Sequence, residues 1–264
     1  MQNKLPETVS FCKAILQGID ELAGTAVRIY GNQRLVQYQD AEGRYQTTDS
    51  FGVLLKNARL ERQTAARAAA LLCAADVPED GVKTALFILR AILTRSVQRG
   101  CTERELEEIG ALLTYCGAYL EKIATANQGV LPGGGLYLLT LVRPMRKYAR
   151  EHGYQRAADV LAYALTQPLL ALAEASGAEG YEVYERIKAL APNQFFSLNQ
   201  VGIERSISTD SPYTDILTTG YDVRDGKIKN LSEAGIRESL ASGKEILRYV
   251  AQNLHLVSQL AATL

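Results

Sequence analysis

Residues 129–135 read Gly129-Val130-Leu131-Pro132-Gly133-Gly134-Gly135 and separate two blocks of helical periodicity. Three successive glycines leave a piece of backbone without Cβ atoms, which suits a close approach of main chain to another group or a flexible loop that starts a helix. Downstream, helices are expected at about Leu136–Glu151, Tyr154–Ser176 and Gly180–Ala189, with Pro168 inside the second. Upstream, Thr102 with Glu105 three positions later has the form of a capping box, so a helix should open there and run to about Ala126.

Further toward the N-terminus, Val82 to Gln98 is apolar on nearly every side (Leu86, Phe87, Ile88, Leu89, Ile92, Leu93), the pattern of a central helix buried by its neighbours. It follows a turn at Val77-Pro78-Glu79-Asp80-Gly81, and before that turn a helix rich in Ala, Leu and Arg is expected from about Gly52 to Ala75. Two short runs within Arg34 to Thr48, split by Asp40-Ala41-Glu42-Gly43, read as a β-hairpin. The first helix should span Thr8 to Tyr30 and stop at Gly31-Asn32. At the other end, helical pattern fades between Pro192 and Thr219. Gly220-Tyr221-Asp222-Val223 with Asp225-Gly226-Lys227-Ile228 then suggests a second hairpin. A last pair of helices is expected after it, the longer running from Ser239 to Leu260.

The 264 residues carry 29 basic and 29 acidic side chains, so no overall field draws in nucleic acid or an anionic membrane. Apolar residues at 47% and charged ones at 22% are the balance of an ordinary globular protein. No internal repeat or Pro/Ser linker divides the sequence, and residues 1–264 are expected to form a single domain. Cys12, Cys73, Cys101 and Cys116 lack CxxC spacing and lie in helical surroundings, which reads as free buried thiols. Neither an apolar leader nor a membrane-length apolar window is present, and the cytoplasm is the default location.

The order of these features resembles the group I chaperonin (chaperonin-60) family, in the two sequence segments that make its equatorial, ATP-binding domain. The break at Tyr30-Gly31 and the hairpin after it are similar to that family's phosphate loop and stem-loop. Glu79-Asp80-Gly81-Val82-Lys83-Thr84-Ala85 looks like its Gly-Asp-Gly-Thr-Thr-Thr-Ala motif, and Gly133-Gly134-Gly135 like its triple glycine. Gly220-Tyr221-Asp222 matches its adenine-side Gly-Tyr-Asn, and Gly235-Ile236-Arg237-Glu238 its Gly-Ile-Leu-Asp. The resemblance implies a mostly α, multi-helix equatorial-domain-like fold with one or two small β-hairpins. In the family, the intermediate and apical domains enter before the triple glycine; here only Thr125 to Leu131 stand there, so a client-folding chamber is not expected.

The resemblance also implies a cofactor, ATP or ADP with Mg²⁺, and gives each candidate a role. Asp80 would hold the metal, with Thr84 facing the same phosphates; the alternative is that Asp80 only caps the helix near Val82. Gly31 and Gly81 would present backbone amides to phosphate, which free N–H groups at a helix start can bind. Lys83 replaces a threonine of the motif and is either a phosphate ligand or solvated. Gly133 and Gly134 would lie against the nucleotide, Asp222 on its adenine side, and Glu238 would accept ribose hydroxyls or complement a helix dipole. For hydrolysis, the family's carboxylate after the stem-loop falls near Phe51, leaving Asp49 as a displaced catalytic candidate. Little or no ATP hydrolysis is expected. The Arg34–Thr48 hairpin, with open edges, is the expected surface for self-association or a chaperonin-like partner. A non-nucleotide structural or interaction protein with the same fold remains the alternative.

Overall fold

A computed structural model describes residues 7–28, 35–57, 79–190 and 218–262. The elements are α1 (Glu7–Arg28), β1 (Val36–Gln39), β2 (Tyr45–Thr48), α2 (Phe51–Asn57), α3 (Glu79–Arg99), α4 (Glu103–Ala126) and β3 (Leu131–Pro132). There follow α5 (Leu136–Thr140), α6 (Val142–His152), α7 (Gln155–Ala175), α8 (Gly180–Leu190), β4 (Thr219–Asp222), β5 (Lys227–Asn230), β6 (Arg237–Glu238) and α9 (Leu240–Ala262). The fold is mostly α, as expected, with small antiparallel strand pairs.

Helix α3 is central because its sequence leaves it no polar face long enough to meet water. Ala85, Leu86, Ile88, Ile92 and Leu93 are completely buried, and the helix packs against α1, α7 and α9. Its partner α7 runs antiparallel to it: Arg99 meets Asp159 at 3.4 Å, Arg95 lies over the Tyr163 ring at 4.6 Å, and Phe87 and Glu174 line one small cavity. Asp159 also takes Arg146 of α6 at 2.8 Å, and Arg156 of α7 reaches Glu105 of α4 at 2.9 Å. Helices α4 and α9 are likewise antiparallel, joined near one end by Lys244 and Glu121. A second apolar cluster, with Leu136, Leu169, Val183, Tyr221 and Leu231, sits where α5, α7 and α8 meet the β4–β5 hairpin.

The capping box forms in full: the Glu105 N–H donates to the Thr102 hydroxyl, and the Glu105 carboxylate accepts from the Thr102 N–H. Both hairpins form, with Val36 opposite Thr48 in the first and Asp222 opposite Lys227 in the second. In the first turn, Asp40 accepts from the Glu42 and Arg44 N–H groups at 3.1 and 2.9 Å. Cys12, Cys101 and Cys116 are free and buried, and burial pushes the Cys12 thiol up to about 11; Cys73 lies outside the described residues. No helix among the described residues is long and apolar enough to cross a membrane.

Three expectations need correction. The helix expected over Leu136–Glu151 is two, α5 and α6, divided at Leu141. Pro144 has no N–H to give the Thr140 carbonyl and its ring crowds that oxygen, which favours a break here, whereas Pro168 is accommodated inside the continuous α7. Helix α3 opens at Glu79 rather than near Val82, which places Asp80 and Gly81 in its first turn instead of in a preceding loop. The first of the expected last pair of helices is replaced by turns and β6, which pairs with β3: Leu131 stands opposite Glu238 and Pro132 opposite Arg237. The helix expected from Gly52 to Ala75 is described over Phe51–Asn57, and its remainder lies outside the described residues.

The β4–β5 hairpin is held by a buried charge. Asp222 has a side chain 1% exposed. It accepts from the Arg224 N–H at 3.0 Å, from Arg224 Nε and Nη2 at 2.9 and 2.8 Å, and from Lys229 Nζ at 2.8 Å. The Arg224 guanidinium holds its carboxyl well below the usual carboxylate range, outweighing burial, which pushes the other way. A carboxyl depressed in the folded state contributes stability that is full above its unfolded value, about 3.9, and is lost as pH falls below it. Asp222→Asn should therefore lower stability at pH 7 by about 2 kcal/mol, with the gap from wild type narrowing as pH falls below about 4; thermal melts from neutral to acid pH check it. Thr102→Ala should cost about 1 kcal/mol, read from the urea midpoint at unchanged slope.

Candidate functional site

Helix α3 carries the phosphate-side candidates. Its first turn contains Asp80 and the buried Gly81, and the half-buried Lys83 and Thr84 follow at once. Positions 80, 83 and 84 fall on one side of the helix by their three- and four-residue spacing. The first N–H groups of such a helix have no intrahelical partner and carry the positive end of its dipole, so they suit an anion. Gly31, the other expected phosphate contact, lies outside the described residues.

The glycine loop gathers the second group. The Gly133 N–H donates to the Ile236 carbonyl at 3.1 Å. A Cβ on Gly133 would stand 2.8 Å from Ile236 Cγ2 and 2.9 Å from its carbonyl carbon. No larger residue fits there without parting β3 from β6. Gly134 has φ +63°, and the place of its Cβ lies 3.0 Å from Leu231 Cδ1 and 3.6 Å from the Tyr221 oxygen. The close approaches that remove Cβ atoms from this loop are thus approaches to the chain itself. The loop touches the residue next to Asp222, while Glu238 stands on the strand paired to Leu131. Gly133, Gly134, Asp222 and Glu238 accordingly share one cluster.

That cluster and the start of α3 lie at the same end of the helical layer. Tyr221 Oη and Ser176 Oγ are 3.0 Å apart, which ties the β4–β5 hairpin to the C-terminal end of α7. Since α7 is antiparallel to α3, its C-terminal end accompanies the N-terminal end of α3.

The polar groups in the cluster are largely committed. Asp222 is taken up by Arg224 and Lys229. Glu238 accepts from the Ser239 N–H at 3.0 Å, and Ser239 in turn caps α9 by accepting from the Ser242 N–H at 2.9 Å. Glu238 therefore sits at the positive end of α9. Asp49 is exposed in the bend between β2 and α2, two residues before the fully buried Phe51. Among the described residues, no group of three His, Cys, Asp or Glu side chains is placed to hold a metal.

Sequence reading missed Lys229, Ser176 and Leu231. Lys229 had a visible signal in the alternating charges Asp222, Arg224, Asp225, Lys227 and Lys229, which on a hairpin place opposite signs across from one another. Ser176 and Leu231 had none, because their contacts join segments far apart in sequence.

Comparison with known proteins bears on this arrangement. The model of the TCP-1/cpn60 chaperonin family matches residues 87–257, a span that runs from α3 to α9. Chaperonin 60 subunit alpha 2, chloroplastic, of Arabidopsis thaliana is 27% identical over 158 residues, covering 58% of this chain and 22% of the relative. The RuBisCO large subunit-binding protein subunit alpha, chloroplastic, of Triticum aestivum is 24% identical over 206 residues, covering 66% of this chain and 38% of the relative. The chain thus spans well under half the length of the curated relatives it matches. With most of its helices inside the matched span and a mostly α fold of the equatorial type, the chain belongs to the TCP-1/cpn60 chaperonin family.

Proposed function

We propose that this chaperonin-family chain is a nucleotide-binding module that holds ATP or ADP with Mg²⁺ chiefly by the phosphates, hydrolyses it little or not at all, and encloses no client. The observation that carries this reading is the first turn of α3, where Asp80 and Gly81 open a 21-residue helix whose body is buried. Asp80 would hold the metal, Thr84 and Lys83 would face phosphate oxygens, and the bound Mg²⁺ would neutralise phosphate charge. The adenine side contributes less, because the Asp222 acceptors are already filled by Arg224 and Lys229. Asp49, the catalytic candidate, is exposed in its bend, and the position nearest the family's carboxylate is the buried Phe51. A water would have no carboxylate fixed beside it, which favours slow or absent turnover. Only residues 127–130 separate α4 from β3, too few for a chamber wall at that point.

A second reading, an interaction protein that keeps the fold for its packing, is favoured by the loop at Gly133 and Gly134, whose close approaches are to Ile236 and Leu231. Thermal unfolding separates the two. Mg-ATP or Mg-ADP at a hundredfold excess over Kd should stabilise the chain by about 2.7 kcal/mol, a rise in Tm of about 5–10 °C for a chain of this size, and Asp80→Ala should abolish most of the rise. No shift with either nucleotide would favour the second reading. Phosphate release should be marginal; turnover unaffected by Asp80→Ala would belong to a contaminant.

A further inference from the structure

Two buried thiols take no part in the candidate site. Cys12 on α1 and Cys101, in the turn that joins α3 to α4, are 2% and 3% exposed and belong to one apolar cluster. An ion pair fixes how their segments lie. Helix α1 packs along α3, and Asp20 of α1 accepts from Arg90 Nε of α3 at 2.6 Å. Cys12 lies about 12 Å before Asp20 at helical rise, and the end of α3 at Arg99 lies about 14 Å beyond Arg90, with Cys101 just past it. Antiparallel helices would bring both thiols to one level, whereas parallel ones would set them about 26 Å apart along the axis. The charge of Cys101 adds to burial in holding the Cys12 thiol up. At the parallel separation that influence would be lost, so α1 and α3 run antiparallel and the two thiols are neighbours.

We propose that Cys12 and Cys101 close into a disulfide when the folded chain meets a low-molecular-weight disulfide, tethering α1 to the α3–α4 turn. Cys101 is the attacking thiol. Burial pushes it up and Glu105 adds to that, but the Ser96 hydroxyl and the guanidinium groups of Arg156 and Arg99 favour its thiolate. Gly100 and Thr102 on either side of it are exposed, so a small reagent has only to open a turn. The Cys101 thiolate attacks one sulfur of the reagent, whose S–S bond breaks; one thiolate leaves and a mixed disulfide remains on Cys101. Cys12 gives its proton to the released thiolate and attacks Cys101 Sγ. The second half of the reagent is expelled and takes up the proton that Cys101 lost. Two protein thiols are oxidised and one disulfide is reduced to two small thiols. Cys116 is completely buried on α4, where burial alone raises it, and has no such neighbour among the described residues. The tether lies at the end of α3 opposite its first turn and does not rest on nucleotide binding.

Oxidised glutathione is the probe, added to the folded full chain before remaining thiols are blocked with N-ethylmaleimide in denaturant and the products are mapped by peptide mass spectrometry. The peptide carrying Cys12 should appear linked to the peptide carrying Cys101, and dithiothreitol should restore both as free thiols. Cys12→Ser should stop at a glutathione adduct on Cys101, Cys101→Ser should leave Cys12 largely unmodified, and Cys73→Ser with Cys116→Ser should leave the yield of the link unchanged. The wild-type map decides the matter alone should a serine variant fail to fold. Both thiols remaining reduced, a link running mainly to Cys73 or Cys116, or a lasting glutathione adduct on Cys101 beside a free Cys12 would overturn the proposal. So would a link that forms only when the oxidant is added in denaturant, because it would report the unfolded chain.

Discussion

The burial of α3 is the constraint on which the rest depends. Leu86, Ile88, Ile92 and Leu93 point to different sides of one helix and are all buried, and each such side chain contributes about 2 kcal/mol when removed from water. A helix with that sequence requires neighbours on several sides, which α1, α7 and α9 supply. Ion pairs then fix how those neighbours lie. Asp159 takes Arg99 from α3 and Arg146 from α6, so α7 is held to two helices through one carboxylate. Exposed pairs of this kind add little energy, but they define direction and register where apolar packing alone tolerates sliding. The antiparallel relation of α3 and α7 is what carries the N-terminal turn of α3 to the end of the molecule occupied by the glycine loop.

Periodicity and capping made the long elements legible. The all-round apolar run of α3, the Thr102–Glu105 box and the turn-separated strands of both hairpins each act within a few residues, and each formed. What the sequence did not disclose depends on distance or on a single atom. The split between α5 and α6 rests on the missing N–H of Pro144, which a hydrophobic pattern does not register. The β3–β6 pair joins two-residue strands a hundred positions apart, and neither strand is long enough to show a period. The start of α3 at Glu79 was obscured because Pro78, Asp80 and Gly81 are residues common to turns and to first helical turns alike.

At the candidate site the same division holds. The identity of each residue was visible, but its availability was not. Asp222 was legible as a carboxylate in a hairpin; that Arg224 and Lys229 consume its acceptors emerges only when the strands are paired. Glu238 was legible as an acid near a helix start, and the structure adds that the start is capped by Ser239, directly beside it.

Glycines illustrate why availability matters more than identity. A triple glycine invites the reading that something outside the chain comes close, yet at Gly133 the approaching atoms belong to Ile236 and Arg237, and at Gly134 to Leu231 and Tyr221. Packing alone would demand these glycines whether or not a ligand ever bound, so their presence cannot separate a working nucleotide site from a retained fold. Polar groups discriminate better, because a buried acceptor that is already saturated has nothing further to give. By that criterion Asp222, paired with Arg224 and Lys229, has little left to offer a ligand. On the nucleotide-binding proposal, the ligand would then be gripped where donors have no intrahelical partner, which is the first turn of α3. A ligand held by its phosphates alone would be held with little discrimination among bases, so the same proposal entails weak base selectivity.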